Sequence, residues 1–365
     1  MSVLLIIGGL VLLVAGGEAV VRGASVIAAG IRIPPVVIGL TVVAFGTSTP
    51  ELAVALGAAL RGEPDFVVGN VLGSNIYNVL LVLGASAIIV PLVVHRRIVR
   101  WDVPLMIVVS LVFLGLSLDG ELSRTDALVL IAMLVGYLGF AVVEARRERA
   151  DDTDVDDFVR EYHERGLTGR AFALHLGFLA GGIALLVIGA DVLVNGAVDI
   201  AETLGFDRLV IGLTVVALGT SAPELATSII AAFRGERDIA VGNIVGSNIL
   251  NILAVVGLTG LIAPDGVAVA AAAIRFDFPV MLAVAIACLP VFFTGHVIQR
   301  WEGVVFLGYA VAYTLYLVLD AVGHAAVGPY SLIMLLFVIP ITVLTFAIVL
   351  VRHLRQRARG ARPTA

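Results

Sequence analysis

Long apolar blocks separated by short polar joints run through almost the whole chain. A helix crossing a bilayer takes about 20 apolar residues. Runs of that kind fall at about 3–29, 34–60, 66–92, 101–118, 125–144, 172–201, 207–233, 239–263, 277–294, 299–319 and 329–351. The pattern predicts an all-α polytopic membrane protein of eleven transmembrane helices. The first run lacks the basic stretch that opens a signal peptide, and it recurs inside the chain. One sizeable hydrophilic stretch interrupts the series, at about 145–170.

The polar positions inside the blocks repeat. Residues 38–57, IGLTVVAFGTSTPELAVALG, return at 211–230 as IGLTVVALGTSAPELATSII. RGEPDFVVGNVLGSNIYNVL at 61–80 returns at 234–253 as RGERDIAVGNIVGSNILNIL. At an offset of 173, positions 38–84 match 211–257 at 31 of 47 places. Apolar bias alone does not preserve Thr, Ser, Asn and Glu in register. Segments one to five therefore correspond to six to ten, and because five is odd each copy crosses the membrane in the opposite sense. Two inverted-topology repeats, with a binding site near mid-membrane where they meet, is the construction common to secondary transporters. The expected organisation is a first repeat at 1–144, a cytoplasmic acidic linker at 145–170, a second repeat at 171–320, and an extra helix with a basic tail at 321–365.

Charge sharpens this picture. Only 14% of residues are charged and 60% are hydrophobic, against about 25% charged in a soluble domain. The net charge of −5 argues against a nucleic-acid partner. All 23 basic residues are arginines. With the N-terminus outside, 18 fall in inside loops and the tail, and only Arg61, Arg124, Arg208 and Arg275 fall outside. That bias predicts N-terminus out and C-terminus in. The acidic run at 151–157 fails as an EF-hand beginning at Asp152, since its sixth position is Asp157 and its twelfth His163. It reads as a solvated linker. One cysteine, Cys288, and six scattered histidines exclude a disulfide framework or a multi-cysteine metal site. No nucleophile–base pair marks an enzyme, and no cofactor is expected.

Two glutamates remain at mid-span: Glu51 in GTSTPE and Glu224 in GTSAPE. A carboxylate at that depth is costly and marks a functional site by default. Nothing basic lies within either span to pair with it. Pro50 and Pro223 break the helix just before each glutamate, which is expected to free carbonyls near Ala44 and Ala217. Thr47, Ser48, Thr220 and Ser221 add hydroxyls. Such an all-oxygen set suits Na⁺ or Ca²⁺ rather than a soft metal. The next span in each half carries GNxxGSNxxN, in which Gly69, Gly73, Gly242 and Gly246 permit close helix approach. Ser74 and Asn78 share a helix face there, as do Ser247 and Asn251. Asn70, Asn75, Asn243 and Asn248 are expected to brace the broken helices. Glu18 can pair with Arg22 one turn on, its repeat mate Asp191 shares a structural or gating role, and Asp102 and Asp277 at span ends read as solvated caps.

At these residues the chain resembles the sodium/calcium exchanger family of the calcium/cation antiporter superfamily, over about residues 1–320. The GTSTPE/GTSAPE and GNVLGSNIYN/GNIVGSNILN pairs are similar to its two α-repeats. The resemblance implies Na⁺-driven Ca²⁺ antiport by alternating access, with the first and sixth helices sliding across four broken helices. It implies ligands at Glu51, Glu224, Thr47, Ser48, Ser74, Thr220, Ser221, Ser247, Asn78, Asn251 and the Ala44 and Ala217 carbonyls. Some relatives, including K⁺-dependent exchangers, carry Asp where Asn251 stands, so K⁺-independent exchange is expected. Two glutamates balance one Ca²⁺ or two Na⁺, so coupling to a third Na⁺ is electrogenic. The 145–170 linker is too short for the calcium-sensing domains of animal members. H⁺/Ca²⁺ antiport on the same fold is the alternative, although proton-coupled relatives place a glutamate in a GNxxE arrangement instead.

Overall fold

Each apolar run closes its own backbone hydrogen bonds as a helix, the one way a single segment can do so in lipid. The computed structural model describes residues 1–31, 33–61, 65–151, 169–205, 211, 214–215, 217–263 and 266–360. Its long helices are α1 (Ser2–Ile31), the bent pair α2 (Pro35–Thr47) and α3 (Thr49–Leu60), α4 (Phe66–Ile89), α5 (Ile98–Ser117) and α6 (Arg124–Ala145). They continue as α7 (Phe172–Thr203), α8 (Ala217–Thr220) and α9 (Ala222–Phe233), α10 (Arg237–Ile262), α11 (Ala273–Phe293), α12 (Arg300–Ala321) and α13 (Val327–Val349). Among the described residues nine helices are long and apolar enough to cross a membrane, ten with the bent pair counted as one. The remaining expected span, 207–233, falls partly outside the described residues, as does most of the 145–170 linker.

Burial sorts the helices into a core and a lipid face. The whole apolar window of α10 is buried inside the protein, and 72% of that of α4, against none for α13. α4 and α10 thus form the centre, and apolar side chains exposed on α1 and α13, such as Val11, Val14, Leu336 and Leu344, face the bilayer. α13 is held at the edge of α11 and α12: Tyr330 donates to the Ala312 carbonyl at 2.8 Å and Tyr309 bonds Thr342 at 2.8 Å.

The contacts between halves obey the sequence repeat. β1 (Leu92–Val93) pairs antiparallel with β4 (Val297–Ile298), and β2 (Glu121–Leu122) with β3 (Val267–Ala268). Adding about 175 to β1 gives β3, and subtracting 176 from β4 gives β2, so each small sheet is the image of the other, register included. α12 packs on the end of α4 as α6 packs on the end of α10. Even the helix starts match: the Ser123 amide donates to Asp126 at 2.9 Å and the Gln299 amide to Glu302 at 2.7 Å. Glu302, although buried, is therefore a capping residue.

α1 and α7 form the most extensive helix pair. Gly9, Gly16 and Gly23 on one and Gly182, Gly189 and Gly196 on the other recur every seven residues, at an offset of 173. A Cβ on Gly16 would lie 2.8 Å from the Gly182 carbonyl, and one on Gly182 2.8 Å from the Gly16 carbonyl. The two helices touch backbone to backbone.

Two expectations at the span ends are corrected. Asp102 is fully buried rather than solvated, with Arg97 Nε 3.4 Å away and equally buried. Asp277 accepts the Tyr313 hydroxyl at 2.8 Å. The cause is an added π-helical turn, 98–102 in α5 and 273–277 in α11, which extends each helix across polar letters and carries the aspartate inward. Removing one partner of a buried ion pair costs about 3–5 kcal/mol. Asp102→Ala is accordingly expected to lower the thermal unfolding temperature of the purified protein much further than Asp126→Ala, whose capping bond is only part-buried; differential scanning in detergent reads both.

Candidate functional site

The site forms where the two broken helices cross the two central ones. Ser48 and Ser221 interrupt the helices with nearly the same backbone angles, φ −78° and ψ 5° against φ −84° and ψ 5°. Pro50 and Pro223 follow and lack the amide that would continue the ladder. The first pair bends by 41° at this break. Glu51 and Glu224 then sit in the first turn of α3 and α9, both with no exposed surface. π-helical turns open the partner helices at matching places, with Asn78 first in one and Asn251 first in the other. Such turns often mark functional sites.

Around the glutamates the polar atoms divide into two sets. One set braces. Thr47 Oγ1 donates within this set, with Asn243 Oδ1 at 3.0 Å, Ser247 Oγ at 3.3 Å and the Ala44 carbonyl at 3.3 Å all in reach. Ser247 Oγ also lies 3.5 Å from that carbonyl. Asn243 Nδ2 donates to Ser228 at 3.1 Å, Asn75 Nδ2 to the Asn248 carbonyl at 3.2 Å, and Asn251 Nδ2 to Asn75 Oδ1 at 3.1 Å. These bonds tie α2 to α10 and α4 to α10.

The other set is buried and, among the described residues, closes no hydrogen bond of ordinary length and angle. It comprises both carboxylate oxygens of Glu51 and of Glu224, the hydroxyls of Ser48, Ser74 and Ser221, and the amide oxygens of Asn78 and Asn251. Glu51 lies beside Ser74, and Glu224 beside Thr47 and Ser48 and within electrostatic reach of Glu51. A buried oxygen without a donor costs about 1–3 kcal/mol, and a buried carboxylate costs more. So many in one place fit hard cations, whose coordination takes oxygens from carboxylates, amides and hydroxyls together. Among the described residues no group of three or more His, Cys, Asp or Glu could hold a metal ion; the acids of this cage number two, and neutral oxygens supply the rest.

Most residues singled out in the sequence meet here, with differences. The Ala44 carbonyl is not set free as expected: it accepts the Ser48 amide at 3.0 Å as well as the Thr47 hydroxyl. Thr220 is buried, and Ala217 opens α8. Gly242 and Gly246 make the predicted close approach, to Val36 and Leu40 on α2. The equivalent neighbours of Gly69 and Gly73, at 209 and 213, lie outside the described residues. Thr227 and Ser228 are also buried, one turn beyond Glu224. Their repeat mates are Val54 and Ala55, so a search that relied on the repeat passes over them. Glu18 is not paired with Arg22. Arg22 stands over the Phe178 ring at 5.7 Å, and Glu18 is bound by Arg234 instead.

Known proteins share this architecture. The sequence profile of the family described as sodium/calcium exchanger protein matches residues 1–143 and 174–319. The inner membrane protein YrbG of Escherichia coli is 42% identical over 284 residues, covering 77% of this chain and 86% of that protein. The sodium/calcium exchanger MaX1 of Methanosarcina acetivorans is 35% identical over 344 residues, covering 86% and 97%. The solved structure of a sodium/calcium exchanger from Methanococcus jannaschii superposes with a TM-score of 0.72 at 29% identity, covering 85% of this chain and 96% of that one.

Proposed function

The chain belongs to the sodium/calcium exchanger family, a family of multi-pass membrane antiporters, and from that premise we propose that it exchanges Na⁺ for Ca²⁺ across the cell membrane by alternating access. The observation that carries the reading is the pair of fully buried glutamates, one per repeat, which stand within electrostatic reach of each other and beside the hydroxyls of Ser74, Thr47 and Ser48. Two negative charges balance one Ca²⁺ or two Na⁺. The two ions are of similar size and charge-hardness, so they compete for one cage, and a filled cage is the condition for changing sides. A third Na⁺ leaves the loaded carrier with net charge, which makes the exchange electrogenic. Asn251 supplies a neutral oxygen where a K⁺-dependent relative has a carboxylate, which supports K⁺-independent transport. The arginine bias supports an N-terminus outside and a C-terminus in the cytoplasm. The paired sheets that map onto each other under the repeat offset support the inverted repeat on which alternating access rests.

The test is Ca²⁺ flux in proteoliposomes with Na⁺, H⁺ and K⁺ gradients imposed one at a time. An outward Na⁺ gradient is expected to drive Ca²⁺ uptake, faster with an inside-negative potential opposed and unchanged by K⁺. Uptake that follows a pH gradient in the absence of Na⁺ would replace this reading with H⁺/Ca²⁺ antiport.

A further inference from the structure

The two halves are built alike but packed differently. α1 lies closely along α9, so closely that a Cβ on Gly17 would come within 2.6 Å of Ile230. The repeat-equivalent pair, α7 and α3, has no comparable contact. At the closed seam, Arg234 at the C-terminal end of α9 grips Glu18 of α1 with two nitrogens, Nε donating at 2.6 Å to Oε2 and Nη2 donating to Oε1. At an offset of 173 the same positions in the other halves are Asp191 on α7 and Arg61 at the C-terminal end of α3. Asp191 there accepts a hydrogen bond from Asn195 of its own helix at 3.2 Å, and the Arg61 guanidinium lies along Gly57 of its own helix.

An inverted-repeat transporter alternates access by moving one repeat or bundle against the other around a fixed site, and the symmetry-related counterpart of the packing in this chain is the one in which the halves exchange conformations. That exchange converts a Glu18–Arg234 pair into an Asp191–Arg61 pair. The glycine seam makes α1 and α7 one unit, so drawing α7 onto α3 draws α1 off α9. Resting on the antiport reading above, we propose that Glu18–Arg234 and Asp191–Arg61 are alternate locks, each closing one access path to the oxygen cage, so that one must open as the other forms. The acids belong to the helix pair that shifts and the arginines to the ends of the broken helices that carry the site. The closed pair is 39% and 45% exposed. With neither partner buried among protein groups, the pair can part without stranding a charge in the packed interior. By the arginine bias, the side closed here is the cytoplasmic one.

Cross-linking tests this. Cys288→Ala removes the one cysteine of the chain. On that background Glu18→Cys with Arg234→Cys, and separately Asp191→Cys with Arg61→Cys, are treated with a short bismaleimide across a series of Na⁺ and Ca²⁺ concentrations. Side chains that meet through a glutamate and an arginine stand too far apart at the backbone for a disulfide. The expected result is reciprocal: conditions that raise linking of one pair at least threefold lower that of the other, and either link stops exchange. Glu18→Gln, which keeps the shape and removes the charge, is expected to raise linking at Asp191→Cys/Arg61→Cys at least twofold. Equal linking of both pairs in every condition, or no response to Glu18→Gln, would overturn the locks; a brace without a gating role gives that result. Flux measured on the unlinked proteins separates the two levels, because loss of Na⁺ dependence there contradicts the antiport reading and not the reciprocity.

Discussion

Glu224→Gln is expected to insert and fold normally while losing Ca²⁺ exchange. The substitution keeps shape and volume, exchanges one carboxylate oxygen for an NH₂ group, and removes one of the two charges in the cage. At 4 Å and an effective dielectric near 20, a unit charge pair is worth about 4 kcal/mol, and Ca²⁺ carries two charges. Part of that is offset by the lower cost of burying a neutral amide. A net loss of roughly 2–4 kcal/mol weakens Ca²⁺ about 30- to 1,000-fold. The fold gains little from the charge, since the groups beside the two carboxylates are backbone amides and the hydroxyls of Ser74, Thr47 and Ser48, with no basic side chain among the described residues paired to either. The ion-free variant should therefore unfold at the same temperature as the ion-free parent, or higher. The parent gains stability as Ca²⁺ is added, by linkage; the variant should not. Glu51→Gln is expected to behave alike, and wild-type exchange in either variant would remove these residues from the site.

Gly246→Ala is expected to damage both stability and transport through one added methyl group. Its Cβ would lie 2.4 Å from the Leu40 carbonyl oxygen and 2.7 Å from the Leu40 Cα. Both are backbone atoms, so no rotamer change relieves the overlap. α10 is buried over its whole apolar window and has no free side toward which to shift. Leu40 is pinned as well: it sits in the π-helical turn 39–43, and its carbonyl accepts the Tyr137 hydroxyl at 3.2 Å. The helices must separate, and with them Ser247 from Thr47, which are 3.3 Å apart. Overpacking of this kind costs about 1–3 kcal/mol, and the braced wall of the cage moves with it. Exchange should fall at least tenfold, with a lower unfolding temperature. Gly308→Ala on exposed α12 is the comparison: nothing among the described residues lies within 4 Å, and alanine favours the helix. Equal behaviour of the two variants would show that the α2–α10 contact has slack.

The spans and the cage were readable from the sequence because a bilayer penalises polarity. A mid-span Glu, Pro or Asn stands out against apolar neighbours, and its recurrence at a fixed offset separates it from chance. Glu51, Glu224 and Ser74 stand out in this way, and Glu51 lies beside Ser74 and within electrostatic reach of Glu224. What escaped was decided by contacts between distant segments. Glu18 has Arg22 one turn away in sequence, but α1 turns that face to α9, where Arg234 offers a two-nitrogen grip. Asp102 reads as a span end because it stands at the very start of the apolar run; the π-helical turn that draws it inward has no signature in hydropathy. The Ala44 carbonyl looked free because Pro50 follows, yet the break falls at Ser48, whose amide still reaches back to it. Thr227 and Ser228 lie in the second half alone, outside what a repeat can reveal.

Direct competition for one cage is the centre of the account, and equilibrium ⁴⁵Ca²⁺ binding to the purified protein, titrated with Na⁺ at constant pH and constant ionic strength, tests it without any transport step. Na⁺ is expected to displace all bound Ca²⁺ with a slope above one, since more than one Na⁺ replaces each Ca²⁺, and substituting K⁺ for Na⁺ should displace none. Ca²⁺ that stays bound at saturating Na⁺, or that leaves equally with K⁺, would contradict a shared Na⁺ and Ca²⁺ site between Glu51 and Glu224.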